Sequence, residues 1–239
     1  NFRPVSLTSH IIKTLERVIR KALVNHLEVN NKFNPAQHGF RSNRSCLSQL
    51  LEHYDKILAF LEAGENVDSI YLDFAKAFDC TDPVLVLHIL QCWGVSPRIL
   101  RPLRAAWQAQ VRWAAVAGVV STNPIRGARG LPQGDPLAPL LFACGMRPHL
   151  LALEHALRAA AEREGLQPDD VRVFAYLDDV VVLVPAALAG EVQAAAQGAA
   201  AAAQPPGRPE PAREYSHPAE GEGDGGGGGG GGGQASAAA

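Results

Sequence analysis

The chain has 239 residues, enough for one large domain or two small ones with a core that needs no disulfides. Apolar residues make up 47%, and no run of eighteen apolar residues occurs, which excludes a transmembrane helix. The net charge of −2 hides an asymmetry, because residues 1–60 carry nine Lys or Arg against four acidic residues, whereas residues 185–239 carry six acidic residues against two Arg. The basic N-terminal region could attract phosphates. Solvated helix faces are the equally weighted alternative.

Two amphipathic helices are predicted at the N-terminal end, over residues 9–29 and 46–61, with a turn-rich connector at 34–41 between them. Both place apolar residues three and four positions apart, so we expect each to bury one face. The side chains expected to point inward are Ile11, Ile12, Leu15, Val18, Ile19, Ala22, Leu23, His26 and Leu27 in the first helix, and Leu47, Leu50, Leu51, Tyr54, Ile57, Leu58 and Leu61 in the second.

The central part of the chain alternates strand and helix patterns. Asp82 and Pro83 are the expected N-cap and first residue of a helix that stops near Gly94. Together the patterns predict an α+β domain in which an antiparallel sheet packs on helices, not a doubly wound sheet. The other predicted elements are a buried strand at 69–74, a hairpin at 111–116 and 119–121, a long helix at 137–164, and strands at 171–176 and 180–184 with a bend at 177–179.

The composition changes twice along the chain. All five lysines lie at or before Lys76, which could reflect a coding bias or a junction between two unlike sources. From about residue 185 the chain is rich in Ala, Pro and Gly, with nine consecutive glycines. Residues 186–203 could form an Ala-rich helix with almost no apolar stripe to dock it, and residues 204–239 are predicted to be disordered.

Four scattered cysteines, Cys46, Cys80, Cys92 and Cys144, form no CxxC pair and have no His partner at zinc spacing. This pattern favours buried free thiols in a reducing compartment. The first residues also lack a secretory signal, so an intracellular location is expected. The absence of an initiator Met suggests a fragment of a longer protein.

Three aspartates at predicted strand ends are the candidates for chemistry. Asp73 ends the first strand, and Asp178 and Asp179 lie at the tight bend between the last two strands. Buried carboxylates are costly unless cations neutralise them, and a pair of Mg²⁺ ions is one solution. Two such ions, roughly 3.5–4 Å apart, activate an attacking hydroxyl and steady a leaving phosphate. An Asp-Asp pair alone is more often a polar turn.

Five motifs in a fixed order favour a metal site over a polar turn at these aspartates. The sequence resembles the reverse transcriptase domain of non-LTR (LINE-like) retrotransposons, most closely the Jockey-like kind in its first eighty residues, and the resemblance covers residues 1 to about 185. The motifs are NFRPVSLTS at 1–9, QHGFR at 37–41, YLDFAKAFD at 71–79, GLPQGDPLAPLLF at 130–142 and FAYLDD at 174–179.

The resemblance implies a right-hand polymerase fold truncated at both ends. Residues 1–68 would be partial fingers, residues 69–185 the palm, and residues 186–239 a low-complexity tail. Segments that the family places upstream of Asn1 and beyond Val184, including the thumb, are not recognised. Since positioning accounts for much of such catalysis, we expect the chain alone to extend a primer poorly or not at all.

The resemblance also assigns a metal site with two Mg²⁺ ions, for which Mn²⁺ can substitute. Asp73 would be the first ligand, helped by the carbonyl of Phe74. Asp178 would bridge the two ions, and Asp179 would complete the acidic pair. The expected partners are an RNA template, a DNA primer and dNTPs, in the nucleus or cytoplasm.

The remaining roles are likewise carried over from the family. Arg3 would grip the triphosphate, as suits a guanidinium. Gln133 and Gly134 would hold the incoming dNTP and the template base, since glycine lets the backbone approach closely. Phe78 would be a steric gate that excludes ribose, or alternatively a core residue. Tyr176 would lie beside the primer end. Arg41 and Arg44 would contact the template backbone, or alternatively be plain surface charges.

Three hypotheses follow for the function. The first is an RNA-directed DNA polymerase domain that extends a primer by metal-dependent nucleotidyl transfer. The second is a truncated or chimeric remnant that folds in part and catalyses nothing. The third is a related palm protein such as a group II intron maturase, although the wording of the motifs at 1–9 and 71–79 favours the retrotransposon.

Overall fold

The computed structural model describes residues 5–74, 76–124, 129–190 and 192–194. Arg3 and the glycine-rich tail therefore lie outside the described residues. The helices are α1 His10–Val29, α2 Cys46–Glu62, α3 Ala77–Cys80, α4 Pro83–Cys92, α5 Pro97–Gln108 and α6 Ala138–Arg163, with short 3₁₀ turns at Pro168–Asp170 and Ala186–Leu188. The strands are β1 Val67–Leu72, β2 Ala115–Val116, β3 Val119–Val120, β4 Arg172–Tyr176 and β5 Asp179–Pro185.

Local signals fix where the predicted helices begin. The Ser9 side chain accepts a hydrogen bond at the start of α1, Ser45 forms a capping box at the start of α2, and Asp82 caps α4. The predicted helix boundaries are therefore confirmed to within one or two residues. Helix α5 was not predicted, although Ser96 before Pro97 is the same kind of start signal.

The described strands β1, β5 and β4 form an antiparallel sheet in that order, with β5 in the centre. Strands β4 and β5 are consecutive and form a hairpin, whereas β1 reaches its place from more than a hundred residues earlier in the chain. Strands β2 and β3 form a separate exposed hairpin, shorter than predicted. The α+β class with an antiparallel sheet is confirmed.

Helix α6 joins the two main clusters of the hydrophobic core. Its first half, including Leu140 and Phe142, packs with α4, α5 and the end of α1. Its second half, including Leu153 and Leu157, packs on the face of the sheet that carries Val173 and Val182. A helix that is apolar around most of its circumference is expected where both sides are covered.

Helices α1 and α2 bury far less than the sequence predicted. On α1, Leu23 and Leu27 are fully buried, whereas Ile11 is 84% exposed. On α2, the stripe expected to face inward is exposed except for Ile57, and the face that contacts the sheet carries His53 and Phe60. The prediction was wrong here because periodicity defines an apolar face but not what covers it. The exposed residues of the two predicted faces are Ile11, Ile12, Leu15, Val18, Ala22, Leu47, Leu50, Leu51, Tyr54, Leu58 and Leu61.

Two further expectations, on the stretch after residue 185 and on the burial of the cysteines, need correction. Leu188 and Val192 are fully buried against the sheet, so the stretch after residue 185 does carry apolar side chains that dock it. The predicted disorder of residues 204–239 lies outside the described residues. Cys46 and Cys92 are exposed, whereas Cys144 is buried, and none of these three forms a disulfide. Among the described helices, none combines the length and the apolar character needed to cross a membrane.

Candidate active site

The β4–β5 hairpin carries two of the three aspartates. Tyr176 pairs with Asp179 across the strands, which leaves Leu177 and Asp178 as a two-residue turn. Leu177 has φ +58°, a left-handed conformation that few residues other than glycine adopt. Asp178 is half-buried and Asp179 is exposed. The turn thus presents both carboxylates at one end of the sheet.

Asp73 belongs to the same end of the sheet. The last residue pair between β1 and β5 is Leu72 with Val180, so the antiparallel register brings position 73 beside position 179. Asp73 is exposed, and the half-buried Phe74 that follows it packs against both core clusters. The predicted juxtaposition of the three aspartates at one sheet end is consistent with this backbone register.

The chemistry of the three carboxylates suits a divalent cation, because Mg²⁺ prefers carboxylate and carbonyl oxygens. Asp73 and Asp179 are exposed, so the argument that buried carboxylates require cations does not apply to them. Within the described residues, no three His, Cys, Asp or Glu side chains converge into a group that could hold a metal. The donor set therefore fits a metal in its chemistry and backbone position, while the metal-ligand roles of Asp73, Phe74, Asp178 and Asp179 stay predictions.

The loop before α6 carries Gln133 and Gly134 and is held by the first described residues of the chain. The Ser6 amide donates to the Gln133 carbonyl at 2.8 Å, and the Thr8 hydroxyl donates to Asp135 at 2.6 Å. Gly134 has φ +110°, and a Cβ there would lie 3.1 Å from the Ser6 oxygen. Glycine is needed here for its φ and for the approach of the protein's own backbone.

A second carboxylate reaches this loop from α1. Burial and, to a smaller extent, the negative charge of Asp135 raise the pKa of Glu16 to about 7. A hydrogen bond from the Leu137 backbone acts in the opposite direction. Because Leu137 is the N-cap of α6 and has no side-chain cap of its own, Glu16 supplies an acceptor where the helix dipole is positive. Sequence reasoning missed Thr8, Glu16 and Asp135, and only the place of Thr8 and Asp135 inside recognised motifs could have drawn attention to them.

Phe78 is half-buried, and its ring stacks on Phe142 with centroids 4.5 Å apart. Its carbonyl accepts a hydrogen bond from the Leu131 amide at 2.8 Å. These contacts account for core packing at this position, and the remaining exposure leaves the ring accessible for the predicted steric gate. Tyr176, the residue expected beside the primer end, is half-buried at the end of β4.

The two arginines expected to contact the template are engaged within the protein. The Arg41 guanidinium contacts both carboxylate oxygens of Glu28 and lies over the Phe33 ring. Arg44 pairs with Glu52 at 2.9 Å and donates to the Nε2 atom of His38 at 2.6 Å. Their template contacts stay predictions.

His38 is fully buried beside this arginine. Burial, followed by the Arg44 charge, lowers the pKa of His38, so the imidazole is neutral near pH 7. The Nε2 atom then accepts from Arg44, and the Nδ1–H group donates to the Ser48 hydroxyl at 2.9 Å. The 3.3 Å approach of Glu52 to His38 is accordingly not an ion pair at neutral pH, and Arg44 is the cation that Glu52 binds.

Solved structures of telomerases share this fold. Telomerase from Candida albicans, in complex with a fragment of telomeric RNA, superimposes with a TM-score of 0.56 at 12% identity, over 81% of this chain and 32% of the telomerase chain. Apo telomerase from Candida tropicalis gives a TM-score of 0.52 at 10% identity. At these identities the likeness concerns the fold alone.

Curated relatives come from mobile elements. The chain is 27% identical over 185 residues to the Pol polyprotein of type-1 retrotransposable element R2 from Popillia japonica, covering 77% of this chain and 25% of the relative. It is 28% identical to the RNA-directed DNA polymerase from mobile element jockey of Drosophila funebris, covering 77% of this chain and 19% of the relative. The chain thus spans a quarter or less of the length of these relatives.

Most of the sequence also matches the model of a protein family. The family described as reverse transcriptase (RNA-dependent DNA polymerase) matches residues 1–198, which include all three aspartates and the loop at 130–137. The chain belongs to the reverse transcriptase (RNA-dependent DNA polymerase) family.

Proposed function

We propose that the chain is the catalytic part of an RNA-directed DNA polymerase of a non-LTR retrotransposon, which adds dNTPs to a primer 3′-hydroxyl on an RNA template. The observation that carries the proposal is the backbone register that brings Asp73, Asp178 and Asp179 to one end of the sheet. The relatives named as polymerases of mobile elements support the class of reaction.

Asp73, Asp178 and Asp179 would hold two Mg²⁺ ions, with the Phe74 carbonyl as a further oxygen donor. When bound, such ions lower the pKa of the attacking hydroxyl and neutralise the charge that develops on the leaving pyrophosphate. The carboxylates would hold the positive charge of the ions at the open end of the sheet. Asp73 and Asp179 are exposed and Asp178 is half-buried, so the carboxylates would be accessible to a primer end and a triphosphate.

The remaining residues would bind and select substrate. Gln133 and Gly134 would contact the incoming dNTP, since both are accessible in a loop that hydrogen bonds from Ser6 and Thr8 hold in place. Phe78 would exclude a ribose 2′-hydroxyl, and Tyr176 would lie beside the primer end. Arg3, outside the described residues, would bind the triphosphate, and Arg41 and Arg44 would border the template.

These roles correspond to a division of the chain into two parts. Residues 1–68 would form part of the fingers, and residues 69–185 would form the palm. The structure supports a close junction between them, because the connector before α2 forms a parallel bridge between Gln37 and Ala175 of β4. A fingers segment joined to the strand that precedes the acidic turn would move with it as one unit.

The test is extension of a labelled DNA primer on an RNA template, with and without Mg²⁺ or Mn²⁺. Wild type is expected to add nucleotides only with metal, and Asp73→Asn to lose roughly a thousandfold in rate because a metal ligand is removed. Asp68→Asn is the matched control, since Asp68 is an exposed aspartate near the other end of the same strand. It is expected to extend like wild type.

The same experiment separates the alternative of a non-catalytic remnant. Folded wild-type protein that adds no nucleotide with either metal, on either an RNA or a DNA template, would overturn the proposal and support the remnant. Equal rates for Asp73→Asn and wild type would place the catalysis elsewhere or in a contaminant.

A further inference from the structure

Gln37 links the connector between α1 and α2 to the turn that carries Asp178. Its Oε1 atom accepts a hydrogen bond from the Leu177 amide at 2.8 Å, and its Nε2 atom donates to the Leu177 carbonyl at 3.2 Å. One side-chain amide therefore pairs with both backbone polar groups of one residue, across 140 positions of sequence. Gln37 is 1% exposed, so water does not compete for these bonds.

Leu177 is the residue of the turn that most needs such support. Its φ of +58° is unfavourable for a branched L-residue, and conformations of this kind persist only where the surroundings determine them. In a two-residue hairpin turn the first turn residue makes no ladder hydrogen bond, so its amide needs another partner. Gln37 supplies that partner.

The connector is itself fixed along β4. The Ala175 amide donates to the Ala36 carbonyl at 2.9 Å, and the His38 amide donates to the Ala175 carbonyl at 2.8 Å. The connector thus pairs with the free edge of β4, which is the outer strand of the sheet. These two bonds set the register that aims Gln37 at Leu177.

Gly39 closes the arrangement. Its amide donates to Gln37 Oε1 at 2.8 Å, so this oxygen accepts two hydrogen bonds and the amide orientation is defined. A Cβ at Gly39 would lie 2.9 Å from both Gln37 Oε1 and the Leu177 nitrogen. The backbone therefore approaches the turn more closely than any residue with a side chain allows.

We propose that Gln37 is a positioning residue for nucleotidyl transfer: it holds Leu177 in its left-handed conformation and thereby fixes where the Asp178 carboxylate points. The inference rests on the proposed function of Asp178 as a metal ligand. Gln37 touches neither substrate nor metal in this account and acts through Leu177. Its loss changes the position of one carboxylate and leaves the dNTP contacts at Gln133 and Gly134 in place.

The first test is hydrogen exchange at the turn, which needs no catalysis. In Gln37→Leu, exchange of the peptide that contains the Leu177 amide is expected to speed up at least tenfold, while the protection of α6 is unchanged. The matched control is Asn34→Ala, because Asn34 is a buried amide of the same connector that bonds to the Ala36 amide and not to the turn. It is expected to leave the turn protected.

The second test is single-turnover incorporation. Gln37→Leu is expected to lower the maximal rate at least tenfold and to raise the Mn²⁺ concentration for half-maximal rate, with the KM for dNTP within twofold of wild type. Gln37→Asn is the milder variant if Gln37→Leu does not fold, since it keeps a neutral amide but is one methylene shorter and cannot make both bonds to Leu177 as Gln37 does. Its rate is expected to fall between those of wild type and Gln37→Leu.

A glycine at the turn separates positioning from general stability. Leu177→Gly removes the penalty for positive φ, so the rate loss caused by Gln37→Leu is expected to be smaller in that background than alone. Additive losses in the double variant, or unchanged exchange at Leu177 in Gln37→Leu, would overturn the inference. If wild type extends no primer but exchange responds as expected, the proposed function fails while the contact between Gln37 and the turn stands.

Discussion

Two loops carry the candidate site residues Asp178, Gln133 and Gly134, and the protein holds these loops in different ways. The Leu177–Asp178 turn is held by the neutral amide of Gln37, with its hydrogen bonds satisfied. The loop at 130–137 is held by Thr8 on Asp135 and by Glu16, whose pKa is raised to about 7. The contrast shows that a neutral amide holds the turn that carries Asp178, whereas the loop at 130–137 lies beside a carboxyl group whose pKa is raised to about 7.

The largest expected effects come from filling the two close backbone approaches. Gly39→Ala and Gly134→Ala are each expected to lower the free energy of unfolding by about 2–3 kcal/mol, because a Cβ meets the Leu177 nitrogen at 2.9 Å or the Ser6 oxygen at 3.1 Å. Urea denaturation measures the loss. Gly165→Ala is the matched control, since Gly165 has φ +73° but open space around it, and it is expected to cost about 1 kcal/mol.

The kinetics of these two glycine variants test whether the two loops have separate roles. Gly39→Ala is expected to lower the maximal rate of incorporation, and Gly134→Ala to raise the KM for dNTP. The reverse assignment, or equal changes in both constants, would contradict the separate roles of the two loops.

Phe78 contacts the loop at 130–137 through its carbonyl, which accepts from the Leu131 amide, and both Phe78 and Leu177 pack against the same core cluster. Phe78→Val is expected to cost about 2 kcal/mol of stability and to lower the preference for dNTPs over rNTPs at least tenfold. Phe142→Val, which removes the other ring of the stack, should lower stability without changing that preference. An unchanged preference in Phe78→Val would reduce its role to packing.

The bond between Thr8 and Asp135 should be measurable as a coupling energy. A double-mutant cycle with Thr8→Val and Asp135→Asn is expected to give roughly 1–2 kcal/mol, as for a hydrogen bond to a charged acceptor. A coupling near zero would mean that the segment at 5–8 is not fixed on the loop. Asp135→Asn also removes one cause of the raised pKa of Glu16.

The smallest expected effect is the pH dependence of stability. Because the pKa of Glu16 is higher in the folded state, its penalty is absent below the unfolded value of 4.5 and complete above about 7. Stability should fall through that window by less than about 1 kcal/mol after solvent screening. Glu16→Gln should abolish that fall when urea unfolding is followed from pH 5 to pH 8.

His38 gives a pH dependence of stability that is opposite in sign to that of Glu16. The pKa of His38 is lowered in the folded state. Its contribution to stability is therefore complete above the unfolded value of 6.5 and is lost as the pH falls below that value. Since His38 belongs to the connector that carries Gln37, the turn should lose hydrogen-exchange protection on the acid side only. Loss of that protection on the alkaline side would contradict the contrast.

Local patterns predicted the helices and strands well because caps, prolines and periodicity act over a few residues. They also predicted that Asp73 ends a strand and that Asp178 and Asp179 lie at a bend between two strands, and the resemblance of five ordered motifs to a known family is why the site could be named before the register was known. They failed for Ile11 and Leu47, which lie on apolar faces that nothing among the described residues covers. The 3.6-residue period of a helix shows which side of the helix is apolar, but not which element packs against that side.

The contacts that hold the site could not be predicted for a related reason. Gln37 and Leu177 are 140 residues apart, and Thr8 and Asp135 are 127 apart, so no local pattern connects them. An ordinary glutamine in a connector has many possible roles, and only the fold brings it to the turn. The burial of Leu188 and Val192 is similar, because two apolar residues among alanines give no visible stripe.

The central claim is that Asp178 carries the chemistry, and single-turnover addition of one dNTP to a primer on an RNA template tests it most directly. With enzyme in excess and saturating Mn²⁺, Asp178→Asn is expected to be at least roughly a thousandfold slower than wild type. Asp82→Asn, a change of one good helix cap for another, should match wild type within about threefold. A rate for Asp178→Asn within tenfold of wild type would contradict the account.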